Sequence, residues 1–278
     1  MKQFIIDSVS PTDMISWAIT ALFFCVSALI FGGDLAMSFI GAGGVVFTMF
    51  LVGTAIEIMI ETMKDIKGIG TLTGFLTNGP EALVVIVGLI AGDILFASST
   101  PLGSNFMNPL LLLLAAAIVG KFALIRSVKP VYVVVSILLT ATLAGGFYAL
   151  PEEQYGLWLI ATVVISSVIF FKRPPEGDEE IEDDMAIPKF MFFPAFIILL
   201  IAGYFLDPVV NFASDSSQVP KGVIGFVVLS ILTSWPEFKS TSALLRRNKG
   251  VAAILNIVVS NVTNLWLAVT GVAIYLMM

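Results

Sequence analysis

Nine apolar runs fill this chain, and each is long enough to cross a bilayer as a helix. They fall at roughly 14–31, 35–60, 68–91, 96–120, 128–150, 155–171, 190–211, 219–246 and 250–276. A helical span needs about 20 largely apolar residues, because the hydrocarbon core it crosses is about 30 Å thick. With 58% hydrophobic and 12% charged residues and a mean hydropathy of +1.01, the chain has too little polar surface to cover a water-facing exterior. The sequence therefore predicts an all-α membrane protein with about nine transmembrane helices. The first run follows Lys2, Asp7 and Asp13 and lacks a small-residue cleavage pattern, which reads as a retained helix rather than a signal peptide.

Charge placement supports that count. Counted with their flanking helix ends, alternate loops collect Lys2, Lys64, Lys67, Lys121, Arg126, Lys129, Lys172, Arg173, Lys189, Arg246, Arg247 and Lys249 on one side and Lys221 alone on the other. Basic residues concentrate on the cytoplasmic side of membrane proteins. The amino terminus is thus expected in the cytoplasm and, with an odd number of spans, the carboxyl terminus outside. The chain has no histidine and a single cysteine, Cys25, so disulfides within the chain and the usual soft-metal ligands are excluded. No nucleotide loop and no catalytic cysteine setting is present either, and an enzyme is not expected.

The longest polar segment, residues 172–189, holds seven carboxylates (Glu176, Asp178, Glu179, Glu180, Glu182, Asp183, Asp184) between prolines. Like charges and prolines make a flexible solvated linker. It divides the chain into residues 1–171, the acidic loop 172–189, and a shorter part, 190–278.

The two parts share a pattern. TNGPE at 77–81 returns as TSWPE at 233–237, and a shift of 156 residues also aligns Ser104 with Ser260, Asn105 with Asn261 and Asn108 with Asn264. The repeated units begin five spans apart, so their copies enter the membrane from opposite sides. Inverted repeats of this kind characterise secondary transporters, whose ion sites lie near the midplane where the halves meet. A proline lacks an N–H and clashes with the carbonyl four residues earlier, so Pro80 and Pro236 are expected to free the carbonyls of Leu76 and Leu232. Hydroxyls, amides, freed carbonyls and the carboxylates of Glu81 and Glu237 make an oxygen-rich set that suits a hard cation. Ca²⁺ accepts six to eight oxygens, and Na⁺ or protons could occupy the same donors. A carboxylate within a membrane is a functional residue by default. Glu57 and Glu61 lie near the cytoplasmic end of their run, and Asp93 and Asp207 near external ends, where reaching water is easy. Asn105 and Asn261 read as bridges between helices. The NVT run at 261–263 matches a glycosylation sequon in surroundings too apolar for one. GAGGVV at 41–46 offers small residues for close packing of the second span.

TNGPE followed by GSNFMN, and TSWPE followed by VSNVTN, resemble the paired alpha-repeats of the cation/calcium exchanger superfamily. From glutamate to serine is 104 − 81 = 260 − 237 = 23 residues in both halves, which is similar to that family's spacing. The resemblance implies an antiporter that moves Ca²⁺ against Na⁺ or H⁺, with two inverted five-helix bundles whose Pro-Glu helices cross at the centre. Carried over by position, it points to Thr77, Asn78, Glu81, Ser104 and Asn108 from the first repeat, and to Thr233, Ser234, Glu237, Ser260 and Asn264 from the second. Expected partners are inorganic cations and the lipid bilayer, with no cofactor and no nucleic acid. The expected location is the bacterial inner (plasma) membrane.

Three departures from the family pattern matter. Many sodium/calcium exchangers resemble GTSxPE in the second repeat and carry an aspartate where this chain has Asn264, so two acidic ligands remain here. Two carboxylates balance one Ca²⁺, two Na⁺ or two protons, which implies an exchange closer to electroneutral than three Na⁺ per Ca²⁺. Asn78 is similar to the GNxxE pattern of the cation/proton branch and Ser234 to the sodium branch, so the co-ion stays open. Taking a carboxylate out of water favours its neutral form, and proton competition is expected in either case. The second departure is architectural: helices seven to nine supply three of the family's second five, helix one is an extra, and either that helix or a second copy of the chain fills the place. The third is Lys239, two residues after Glu237, where the first repeat has Leu83. Alternatives that remain are a Ca²⁺/H⁺ or Na⁺/H⁺ exchanger and a non-transporting scaffold that keeps the repeat. A channel is disfavoured, because paired central carboxylates bind ions tightly.

Overall fold

The computed structural model of the protein describes residues 11–62, 71, 74–75, 77–176 and 188–278, and for 11–13, 56–57 and 59–61 the backbone alone. The Leu76 carbonyl, the Glu57 and Glu61 side chains and most of the acidic loop lie outside the described residues. Ten helices position the site: α1 (Pro11–Phe31), α2 (Leu35–Glu61), α3 (Gly79–Ile90), α4 (Ile94–Val119), α5 (Phe122–Ser127), α6 (Pro130–Ala149), α7 (Tyr155–Phe171), α8 (Phe192–Ser217), α9 (Trp235–Arg246) and α10 (Gly250–Met277). Eight membrane-length apolar helical spans are present among the described residues, with the 12-residue α3 as a shorter ninth apolar helix. The fold is all-helical among those residues, as the apolar runs require.

Two of the expected spans are interrupted, and proline explains where. α3 starts after Asn78 with Pro80 in its first turn, and α9 starts after Ser234 with Pro236 in its first turn. A missing N–H is harmless at that position, since the first turn's donors have no partner within the helix. The two breaks have nearly the same backbone, φ −82° and ψ 9° at Asn78 against φ −80° and ψ 1° at Ser234. The boundaries also coincide at the repeat offset: 79 + 156 = 235, 90 + 156 = 246 and 94 + 156 = 250.

The α9 span begins at Lys221 and passes through a π-helical segment, Ile224–Leu229, before its break. The sequence did not predict this wide turn, although Gly225 and Gly103 sit at the contact that accompanies it. A Cβ on Gly225 would collide with Ser99 Oγ, and one on Gly103 with the Phe226 carbonyl, so α4 rests directly on the π segment.

α3, α4, α9 and α10 form the centre, and α10 is the most deeply enclosed, with residues 252–262 buried without a break. α6 and α7 close one flank through Phe147, Tyr155, Trp158 and Leu265. α1, α2 and α8 form the other, where Phe24, Val45, Val52, Leu206 and Val210 meet Val84 and Leu229. The expected close packing of GAGGVV holds: a Cβ on Gly41 would lie 2.9 Å from Ala213 Cα of α8. The outward faces of α1 and α8 are apolar, with Leu29, Ile30, Phe193 and Tyr204 mostly exposed. Acyl chains are the solvent such faces require.

Candidate cation site

All ten site residues expected from the repeat are buried, none more than 2% exposed. They occupy two helix starts and the middles of the two helices that follow. Glu81 Oε1 accepts from Ser104 Oγ at 3.1 Å, and Glu237 Oε1 accepts from Ser260 Oγ at 3.1 Å. Each bond links a Pro-Glu helix to the helix after it, and each spans 23 residues in sequence. The contacts then cross between repeats. The Thr233 hydroxyl is within reach of Glu81 and lies 3.4 Å from Ser104 Oγ, while Thr77 is within reach of Glu237. The two carboxylates are close enough for their charges to interact.

Around Glu237 the bonding is dense. Ser260 Oγ also lies 3.3 Å from Asn78 Oδ1, a second acceptor for its one proton, and accepts from Asn108 Nδ2 at 2.9 Å. Asn78 Nδ2 in turn donates to the Gly74 carbonyl at 2.5 Å, which fixes its oxygen toward Ser260. Ser234, next to Thr233, and Asn264, one turn beyond Ser260, are buried too, but their side chains have no hydrogen-bond partner among the described residues. The structure thus joins Thr77, Asn78, Glu81, Ser104, Asn108, Thr233, Glu237 and Ser260 in one network and places Ser234 and Asn264 alongside it.

The leftover oxygens tell what this arrangement can do. Glu81 Oε2, Glu237 Oε2, Asn108 Oδ1, Ser234 Oγ and Asn264 Oδ1 are buried without a partner among the described residues. A buried polar atom left unpaired costs about 1–3 kcal/mol, so native proteins rarely collect several in one place. Carboxylate, amide and hydroxyl oxygens are the donors a hard cation selects. Among the described residues no group of three or more acidic, histidine or cysteine side chains converges.

Asn261 is a bridge, as its type suggested. It accepts from Asn108 Nδ2 at 3.0 Å and donates to Thr140 Oγ1 at 3.2 Å and to the Asn105 carbonyl at 3.4 Å. Pro109 explains that acceptor, since it removes the N–H that would otherwise occupy the Asn105 carbonyl. Asn105 Nδ2 instead donates within its own helix, to the Pro101 carbonyl at 3.0 Å. Asn261 is 1% exposed, which leaves no room for a glycan at the NVT run. Asp93 and Asp207 converge on Lys221 Nζ, at 3.9 and 2.7 Å, beside the start of the π-containing span. Lys239 is half-buried and lines a cavity of about 50 Å³ with Ser16, Trp17, Phe50, Leu232 and Pro236.

Two polar residues in this region were not singled out by sequence. Thr140 on α6 carries no motif. Asn256 on α10 lies one turn before Ser260 and is fully buried, but the repeat comparison pairs it with Thr100, and a search for matching positions passes over it.

The sequence model of the sodium/calcium exchanger protein family matches residues 189–278, the part that carries Thr233, Ser234, Glu237, Ser260 and Asn264. That match covers about a third of the chain, and the eight membrane-length apolar helices support an integral membrane protein. Among individual proteins, the chain is 24% identical over 213 residues to the inner membrane protein YrbG of Escherichia coli (strain K12), covering 70% of this chain and 65% of that one. It also aligns with the crystal structure of the H⁺/Ca²⁺ exchanger CAX at a TM-score of 0.49 and 14% identity, over 95% of this chain and 74% of the other.

Proposed function

We propose that the protein is a secondary active antiporter that exchanges Ca²⁺ for Na⁺ or H⁺ through the site between the two Pro-Glu helices. The observation that carries this reading is the pair of fully buried carboxylates, Glu81 and Glu237, each held through one oxygen with the other unpaired. Ser234, Asn108 and Asn264 add unpaired oxygens from the same four helices. The transported cation is substrate, and it would be held by those oxygens.

The residues' own work follows from the geometry. Ser104 and Ser260 orient the carboxylates by donating to one oxygen of each, so the second oxygen stays available. Thr77 and Thr233 connect each glutamate to the opposite repeat. A displacement of either Pro-Glu unit is therefore felt at both carboxylates. With two negative charges, one Ca²⁺, two Na⁺ or two protons each leave a neutral site, whereas a third Na⁺ would add an uncompensated charge in a low-dielectric interior. Exchange is accordingly near electroneutral. Asn78 is similar to the pattern of the cation/proton branch and Ser234 to that of the sodium branch, so both co-ions belong to the reading. In this reading the repeats are related by inversion, the amino terminus is cytoplasmic, the host membrane is the bacterial inner membrane, and the protein is a transporter rather than an enzyme.

Flux measured with purified protein in vesicles tests the proposal. Ca²⁺ uptake is expected when either an outward Na⁺ gradient or a pH gradient is imposed, with little change when a potassium diffusion potential is added. Absence of uptake under both gradients overturns the transport reading, and a strong response to potential overturns the stoichiometry.

A further inference from the structure

The polar network does not end at the carboxylates. One turn before Ser260 on α10, a buried amide holds the backbone of α9. Asn256 Nδ2 lies 3.2 Å from the Glu237 carbonyl, 2.8 Å from Ser240 Oγ and 2.9 Å from Thr241 Oγ1, so its two N–H groups are shared among three acceptors. Ser240 Oγ also donates to the Glu237 carbonyl, at 3.1 Å. Asn256 and Ser260 are four residues apart, on one face of α10. α10 therefore grips Glu237 at two points, its main-chain carbonyl through Asn256 and its carboxylate through Ser260.

The first repeat has no such grip. At the offset of 156, Asn256, Ser240 and Thr241 correspond to Thr100, Val84 and Val85. Val84 is part of an apolar cluster, and the Thr100 hydroxyl donates to the Gly225 carbonyl at 3.3 Å. Glu81 thus keeps the carboxylate contact from Ser104 but has no counterpart to the amide on its main chain.

We propose that Asn256 is a positioning residue that fixes Glu237 as the preorganised ligand of the cation site, leaving Glu81 as the ligand that adjusts. Plain helix–helix adhesion does not require the Glu237 carbonyl as an acceptor; Ser240 and Thr241 would suffice for it. An amide bonded at once to the main chain of Glu237 and to the next turn restricts both the start of α9 and the direction in which the carboxylate leaves it. Ligands held this way bind metal without first losing rotamer freedom, and loss of the groups that hold them typically costs 10–100-fold in metal affinity. The inference rests on reading Glu237 as a cation ligand, so its test includes a measurement that needs no cation.

A hydrophobic carbodiimide, to which a protonated carboxyl group in apolar surroundings adds to give an O-acylisourea that rearranges to a stable N-acylurea, is applied to the purified full chain in detergent, and labelling of Glu81 and Glu237 is followed separately by mass spectrometry. Asn256→Ala is expected to change the rate at Glu237 severalfold while leaving Glu81 as in the parent. The Ca²⁺ concentration that protects against labelling is expected to rise about tenfold. Asn256→Gln should recover part of both effects. The pair Ser240→Ala with Thr241→Val should reproduce the Asn256→Ala change if that variant does not fold. Equal acceleration at both glutamates, or an unchanged Glu237-to-Glu81 ratio, overturns the proposal. If Ca²⁺ and Na⁺ protect neither glutamate in the parent protein, the cation reading falls, while the ratio still decides whether Asn256 positions Glu237.

Discussion

The two Pro-Glu units have nearly the same backbone and different surroundings. Each starts at a break with φ near −80° and runs for 12 residues, and each glutamate accepts one serine hydroxyl at 3.1 Å. Beyond that they diverge. Ser260 holds Glu237, Asn78 and Asn108 together, and Asn256 adds the main chain of Glu237, whereas Ser104 reaches Glu81 and Thr233 alone. The start of α9 also sits behind a π-helical turn that rests on α4. The lesson is that a repeated backbone supplies two equivalent positions for a carboxylate, and the polar neighbours decide how firmly each is held.

The comparison can be tested at several strengths. The largest effect is expected from Glu81→Gln and Glu237→Gln, each removing one of two buried charges. Loss of one member of a buried, hydrogen-bonded charge set costs about 2–5 kcal/mol, so flux in vesicles should fall by more than tenfold for both. A variant that retains near-normal flux would remove its glutamate from the site. Ser260→Ala comes next and should exceed Ser104→Ala, because it strips hydrogen bonds from three partners. Unsatisfied buried groups cost about 1–3 kcal/mol, read as a lower unfolding temperature and weaker cation protection. The reverse order would break the comparison outright.

Asn261→Ala should cost about 1 kcal/mol or somewhat more, since Asn108, Thr140 and the Asn105 carbonyl lose their common partner. Its effect should appear in stability before it appears in co-ion preference. The smallest change is expected from Lys221→Met, at about 0.2–1 kcal/mol, because its ion pairs with Asp207 and Asp93 are partly exposed. A much larger loss would mean that the mouth of the π-containing span, rather than the Pro-Glu start, makes the second repeat rigid.

Much of this was legible in the sequence for reasons that can be named. Length and apolarity located the spans, and Pro80 and Pro236 located the breaks, because proline constrains helices in any solvent. The offset of 156 drew out Ser104, Ser260, Asn108 and Asn264, since a polar residue repeated in two apolar segments is improbable without a common role. Asn256 escaped for the complementary reason. A search for symmetry finds what the halves share, and Asn256 belongs to what they do not. The π segment was hidden as well. Gly225 announces a close approach only when Ser99 is known to lie opposite, and that contact spans two helices.

The unpaired oxygens have one more consequence. In the proposed function, a cation held by the five buried oxygens that have no partner among the described residues would stabilise the folded chain against unfolding. In a cell that degrades unfolded chains, the lifetime of the protein would then follow the supply of the ion it carries. Scarcity of the ion would thin the population of carriers without any dedicated sensor.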